Sequence, residues 1–401
     1  MNEIDALRRM RTALAEQERP ERLALRVDWR NDAVRERRRR GFRVPLLAAA
    51  TATAVAAGTV GAIALRPGDG RSPTRGGERT ITPGNALLVA AANAQKAPSG
   101  TYWHTKTVMG EVYAVGESTA NHYKIDSRQA TEVWTDGNGL RRGSHIDMAD
   151  VPLTPQDKQK WQAAGSPGWV GVPNPEGGGG EVHLDVANRY GGRSPFPPYT
   201  EKFYGMTAGE IAALPTRPKA LEDVLLGLKG HWHAVSEDGE KEEPIRALPG
   251  QERIRALTDV AGGLLSTAPA PPRVRAAVFR MLAAQPGVRA EGPGTDPLGR
   301  PGTVVSLPLK TTAPLGMYTA PKQLGTYRRQ FIIDPANGSL LAIRDLTATP
   351  PKGSRPLPPG DDGKPRSLKA RDMPDRFNRP GDLVSYQAFE TAEWTNANPP
   401  R

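Results

Sequence analysis

Read from the amino terminus, apolar residues first recur at spacings of three and four, at Ile4, Leu7, Met10 and Leu14. That spacing places them on one stripe of a helix. Asn2 caps the helix, with Asp5 as a weaker capping-box partner, and Pro20 interrupts it. A second helical stretch follows, with Leu23, Val27 and Val34 near one face. The pattern then changes to an unbroken apolar run. Val44 to Leu65, VPLLAAATATAVAAGTVGAIAL, holds 22 residues and no charge. As a helix it is about 33 Å long, against a bilayer core of ~30 Å. The run therefore predicts a transmembrane helix over 44–65, with Val44, Leu46, Leu47, Val55, Val60, Ile63 and Leu65 as its bulkier spanning residues.

Residues 66–84 are rich in Gly, Pro, Arg, Thr and Ser and read as a flexible tether. Beyond them, the pattern predicts a short helix from Asn85 to Ala94 and then strands. In Thr101–Met109, period two places Trp103, Thr105, Thr107 and Met109 on one face. Strands at 112–115, 120–126, 131–135 and 140–148 follow, the last two joined by the hairpin signal Asp136-Gly137-Asn138-Gly139. A helix is expected at 155–164, then a Pro/Gly-rich loop over 165–200. Helices follow at 207–213, 218–229, 245–267 and 272–285, several opened by proline. Strands return at 303–309, 327–334, 340–347 and 383–395, with Asp334-Pro335-Ala336-Asn337-Gly338 as a tight turn. Residues 350–380 read as a long loop. Residues 85–401 thus form an α+β domain, a curved antiparallel sheet resembling a half-barrel, covered by the central helices.

Charge sets the orientation. The chain carries 54 basic and 43 acidic residues, a net +11. Residues 1–43 hold thirteen arginines, no lysine and eight acids. Arg37, Arg38, Arg39, Arg40 and Arg43 crowd the near side of the apolar run, whereas Arg66, Arg71 and Arg75 are diluted on the far side. The denser block stays in the cytoplasm, giving a cytoplasmic head at 1–43 and an extracytoplasmic domain at 85–401. The alternative is a cleaved export signal, because Arg39-Arg40-Gly41-Phe42 resembles a twin-arginine signal and Ala62-Ile63-Ala64 a cleavage site. Against cleavage stand an n-region of over 40 residues and the length of the run. The head itself reads as an anchor on anionic lipid headgroups, or as a docking helix for a cytoplasmic regulatory protein through Ile4, Leu7, Met10 and Leu14. Nucleic acid is not an expected partner, since the basic residues sit where topology already requires them.

Composition narrows the chemistry. There is no cysteine, which excludes disulfides, thiolate metal sites and a Cys nucleophile. Gly (43) and Pro (39) make up about a fifth of the chain, without a collagen period, and so indicate loops. His231-Trp232-His233 offers two imidazoles but no third ligand. The acidic run 236–243 lacks a calcium-loop spacing. No G-x-S-x-G, H-E-x-x-H, Walker or dinucleotide motif occurs. The expectation is no catalytic, cofactor-binding or metal residue. Trp103, Trp134, Trp161, Trp169, Trp232 and Trp394 read as core or rim packing, or as the lining of an apolar groove.

The segments LLVAAANAQ, TYWHTK, EVWTDGNG, VRAAVFRMLAAQPGVRAEGPGTDPLGRPG and FIIDPANGSLLAIRD carry a resemblance. With the arginine block and Ala-rich span, they look like a group of actinobacterial single-pass membrane proteins of unassigned function, often encoded beside extracytoplasmic-function sigma factors. The resemblance implies a link to envelope signalling. The layout is also similar to the half-barrels of LolA-like and RseB-like lipoprotein carriers and sensors, an architectural likeness. The chain departs from zinc-type anti-sigma domains in lacking cysteine and in its short head. The expected function is a membrane-tethered binding or sensing module for a lipid or hydrophobic peptide, and not an enzyme. The alternatives are an anti-sigma-like regulator acting through the head and an envelope hydrolase.

Overall fold

The structure is a computed structural model that describes residues 85–173, 181–189, 191–230, 232, 242–311, 324–357 and 365–399. The chain divides into two units, Met1–Thr80 and Ile81–Arg401, and every described residue lies in the second. The helical stripe, the apolar run and the arginine block named above therefore fall outside the described residues. Among the described residues no helix is long and apolar enough to cross a membrane.

The first strand pair shows how the sheet is built. β1 (Tyr102–Val115) and β2 (Tyr123–Asp136) are rich in β-branched and aromatic residues and pair antiparallel along their whole length. Asp136 closes the next turn by accepting from the Asn138 and Leu140 amides, and β3 (Leu140–Asp147) returns beside β2. Near the carboxyl end, β10 (Arg289–Thr295), β11 (Pro301–Thr311), β12 (Thr326–Asp334) and β13 (Ser339–Thr349) form a second meander. The last strand, β16 (Leu383–Thr395), inserts between β13 and β1 and joins the two meanders. The result is one open antiparallel sheet in the order β10-β11-β12-β13-β16-β1-β2-β3-β7, where β7 is Gly192–Thr200, with the two-residue β4 (Val151–Pro152) on β2; the two-residue strands β8 (Lys229–Gly230) and β9 (Glu243–Pro244) pair with each other apart from it.

Six helices among the described residues are α1 (Ala86–Ala94), α2 (Pro155–Ala163), α3 (Ala208–Ala212), α4 (Pro218–Leu225), α5 (Gly250–Leu265) and α6 (Pro272–Ala284). Their starts are written locally. Thr154 Oγ1 accepts from the Asp157 amide, Thr207 and Glu210 form a reciprocal capping box, and proline opens α2, α4 and α6. α5 lies on β11 and β13, while α6 packs on α5, α1 and α4. Together with Val305, Phe331, Ile343 and Phe389 of the sheet these helices form the main apolar core. Each fully buried Phe or Leu there contributes roughly 1.5–3 kcal/mol. The alanine face of α1 permits close approach of the β12–β13 turn. Gly338, at φ +65°, sits where a Cβ would overlap the α1 backbone, and Asn93 donates to the Pro335 carbonyl.

The loop expected over 165–200 is corrected in part. β5 (Trp169–Pro173) and β6 (Glu181–Asp185) form a hairpin, and β7 (Gly192–Thr200) is an edge strand of the main sheet. Val170, Val172 and Leu184 bury against Tyr113, Val115, Tyr123 and Ile125, a tertiary contact that outweighs the local glycines and prolines. β7 tolerates Pro195, Pro197 and Pro198 because an edge strand leaves half its amides without a ladder partner. The opposite edge, β10, carries Pro293 between Gly292 and Gly294. Both edges are thus poor templates for another strand. The 350–380 loop likewise contains a small hairpin of β14 (Ser354–Leu357) and β15 (Arg366–Lys369).

Candidate functional site

Residues directly opposite one another in a sheet share a face, so the register sorts every side chain. Trp103, Thr105, Thr107, Met109, Glu111 and Tyr113 of β1 stand opposite Thr135, Val133, Thr131, Gln129, Ser127 and Ile125 of β2. On the other side Thr107, Met109 and Glu111 stand opposite Phe389, Gln387 and Ser385 of β16. Those in turn reach Ile343 and Asp345 of β13, and then Phe331 and Arg329 of β12. Phe389, Ile343 and Phe331 belong to the helix-packed core, so this whole set is the helix-side face.

That face has three zones. At one end Trp103 is fully buried under the helices, with its indole Nε1 donating to the Ser266 carbonyl, the Arg275 guanidinium 5.0 Å from its ring and Trp394 at 5.5 Å. At the other end Tyr113 and Ile125 lie under the β5–β6 hairpin. Between them runs a polar strip: Thr107, Ser127, Gln129, Thr131, Ser385 and Gln387 with Met109. Met109, Ser127, Gln129, Thr131, Ser385 and Gln387 are half-buried, whereas Thr105, Glu111, Ile125, Val133 and Phe389, farther along the same strands, are buried. The strip continues across β3 to exposed His145 and Asp147. Beyond lie Phe196 and Tyr199 of β7, 5.6 Å apart.

The strip closes at β12 and β13 on a buried ionic cluster. Arg329 is 1% exposed and Asp345 0%. The guanidinium gives Asp345 two hydrogen bonds, of 3.1 and 3.3 Å, and pairs with Asp259 of α5 through its other arm. Burial acts to lower the Arg329 pKa, but Asp259 and Asp345 outweigh it and hold the group charged. Burial raises the Asp259 carboxyl, with Arg329 and Arg255 opposing. Tyr204 donates to the Asp259 carbonyl at 3.0 Å and stacks on Trp232, which itself donates to the Leu228 carbonyl. The helices are therefore fixed to the sheet at this end by charge as well as by packing.

Two Tyr–Asp pairs flank the strip, one on each face. Tyr327 of β12 donates to Asp375 Oδ2 at 3.0 Å on the helix side. Tyr386 of β16 donates to Asp126 Oδ2 at 2.8 Å on the opposite side. Burial pushes both carboxyls up to about 6. The opposite face also holds His104, stacked on Trp134 at 4.2 Å and 3.1 Å from Glu132, which takes a second bond from Arg193.

Trp103, Trp134 and Trp232 are buried packing residues, and Trp161 packs against the β5–β6 cluster, so none of these four lines the polar strip. His231 and His233 lie outside the described residues. Among the described residues no group of three or more His, Asp or Glu is placed to hold a metal ion. The residues proposed for membrane spanning (44–65), topology (37–43) and docking (4–14) also lie outside the description. The strip itself was half legible: the alternation of Trp103, Thr105, Thr107 and Met109 is visible in the sequence, but its neighbours on β16 are not. Comparison with protein-family models, with curated proteins and with solved structures finds no match to this chain.

Proposed function

We propose that the chain is a membrane-tethered extracytoplasmic binding module linked to envelope signalling, and that its ligand is a hydrophobic peptide held along the polar strip of the helix-side face. The observation that carries this reading is the chemistry of the strip. Gln129, Gln387, Ser127 and Thr131, half-buried members of the strip, supply both donors and acceptors, the combination a peptide backbone needs. The apolar clusters on either side, and Phe196 and Tyr199 beyond β3, suit the peptide's side chains. An acyl chain would cover the same amides and hydroxyls without pairing them, at a desolvation cost of roughly 1–3 kcal/mol for each group. Addition of the peptide as a further edge strand is disfavoured by the prolines of β7 and β10. Four strand spacings of ~4.8 Å separate β13 from β3, so the strip accommodates about six extended residues.

The tether rests on the uncharged run 44–65 and the arginines before it. A reporter active only outside the cytoplasm, fused after Arg401, is expected to be active; activity of a cytoplasm-dependent reporter there would overturn the topology. For the ligand, the full-length protein is panned against a random heptapeptide library. Enrichment of an apolar consensus is expected, with at least tenfold weaker capture by the Gln129→Leu/Gln387→Leu variant. Equal capture by that variant, or stoichiometric co-purification of lipid in place of peptide, would contradict the reading.

A further inference from the structure

Between the short 3-10 turn Ala370–Asp372 and the start of β16, the chain forms a strap along the ends of β1, β2 and β13. Most of its attachments lie at the rim. The Ala114 amide donates to the Pro374 carbonyl at 2.8 Å, and the Thr347 amide to the Asp382 carbonyl at 2.8 Å. Arg376 turns outward, donating to the Gly116 carbonyl. Asn378 Nδ2 donates to Thr347 Oγ1, and Lys124 pairs with Asp382 at 2.7 Å. Asp375 is the strap's one carboxyl that enters the core, at 1% exposure.

The surroundings of Asp375 favour its neutral form. Tyr327 of β12 donates to Oδ2, and among the described residues no other donates to Oδ1. The charged groups facing it are Glu111 of β1, which repels, and Lys124 of β2, which attracts but is bonded to Asp382. Asp345 of β13 also acts on the Tyr327 hydroxyl, and its own cation is Arg329. A buried carboxylate needs more donors than one phenol, so ionisation of Asp375 favours the state in which water reaches it.

We propose that residues 373–382 are a proton-operated latch, held against β1 and β13 while Asp375 is protonated and loosened when it ionises. Burial pushes the Asp375 carboxyl up to about 6 from an ordinary 3.8. The sign follows from linkage. The closed strap binds the proton more tightly than the open one, so closure is complete at low pH and weakens as pH rises through about 6. The shift corresponds to a change of up to roughly 100-fold in the closing constant.

The test is amide exchange of Ala114 and Thr347 in the full-length protein from about pH 5 to about pH 8, corrected for the intrinsic rate. Both donate to the strap, so both report its opening. The latch predicts protection falling by about tenfold across that range, the part of the full change that lies above pH 5. Asp375→Asn should keep protection high and flat. Asp126→Asn, which removes the other raised carboxyl on the opposite face, should leave the slope at Ala114 intact. A wild-type profile without slope, a slope that survives Asp375→Asn, or equal flattening by Asp126→Asn would each overturn the latch. A carboxyl carbon titration of Asp375 in the wild type decides the matter even if the variant does not fold. A midpoint near 6 is expected, and one below about 4.5 would refute it.

Discussion

Arg329 and Asp345 face one another across β12 and β13, joined by two hydrogen bonds and sealed from water by α5. With Asp259 they fix the helical layer to the sheet at the closed end of the strip. Removing the cation would strand two buried carboxylates. Arg329→Met is therefore expected to destabilise the domain by ~3–5 kcal/mol, read from urea midpoints. The half-exposed Arg193–Glu132 pair on the opposite face provides the contrast: Arg193→Met should cost under ~1 kcal/mol. Equal losses from the two variants would contradict the structural role of the cluster.

Gly110 is required by Tyr386. A Cβ at this position would strike the Tyr386 ring and lie 2.6 Å from Asp126 Oδ1. The phenol reaches Asp126 across the space that glycine leaves open. Gly110→Ala should cost at least ~1–3 kcal/mol by overpacking, whereas alanine at Gly137, where nothing lies within 4 Å, should be nearly neutral. Thermal denaturation of the two variants checks the difference.

The raised carboxyls give the domain an unusual dependence on pH. Burial pushes Asp126 up to about 6 despite the Tyr386 hydroxyl and Arg128. The folded state thus binds this proton more tightly than the unfolded chain, whose value is near 3.8. Its contribution is present at low pH and is lost as pH rises through about 6, as for Asp375. Each site contributes at most ~3 kcal/mol across that window. Urea midpoints are expected to be higher near pH 5 than near pH 8, with Asp126→Asn removing part of the difference. Glu132, which burial raises but Arg193 and His104 lower further, works in the other direction and only in stronger acid, below the ordinary glutamate range. A midpoint that rises steadily from pH 5 to pH 8 would contradict the assignment of both buried acids.

Much of the fold was legible because its signals are local. The Asp136–Gly139 turn, the prolines opening α2, α4 and α6, and the Thr207 cap each act within a few residues. The alternation through Trp103, Thr105, Thr107 and Met109 correctly identified one face of β1. What was not legible depends on distant partners. Nothing near Leu383 says that β16 inserts between β13 and β1 and merges two meanders into one sheet. In sequence β7 reads as loop because its prolines argue against an interior strand, and only its edge position makes them tolerable. Arg329, Asp345 and Asp259 look like ordinary solvent-facing charges in sequence, since their burial follows from register and from the seat of α5. The strip was missed for the same reason: Gln129, Gln387 and Ser385 become neighbours only once β16 is in place.

The most direct test of the proposed peptide site uses the alternation of β1 and β2, because adjacent residues lie on opposite faces. A photoreactive side chain is placed at Met109 or Gln129, on the strip, and at Val108 or Arg128, on the opposite face, in the full-length protein. Peptide adducts are expected at Met109 and Gln129, each several-fold above those at Val108 and Arg128. Equal labelling of both faces, or adducts confined to Val108 and Arg128, would contradict the proposed site.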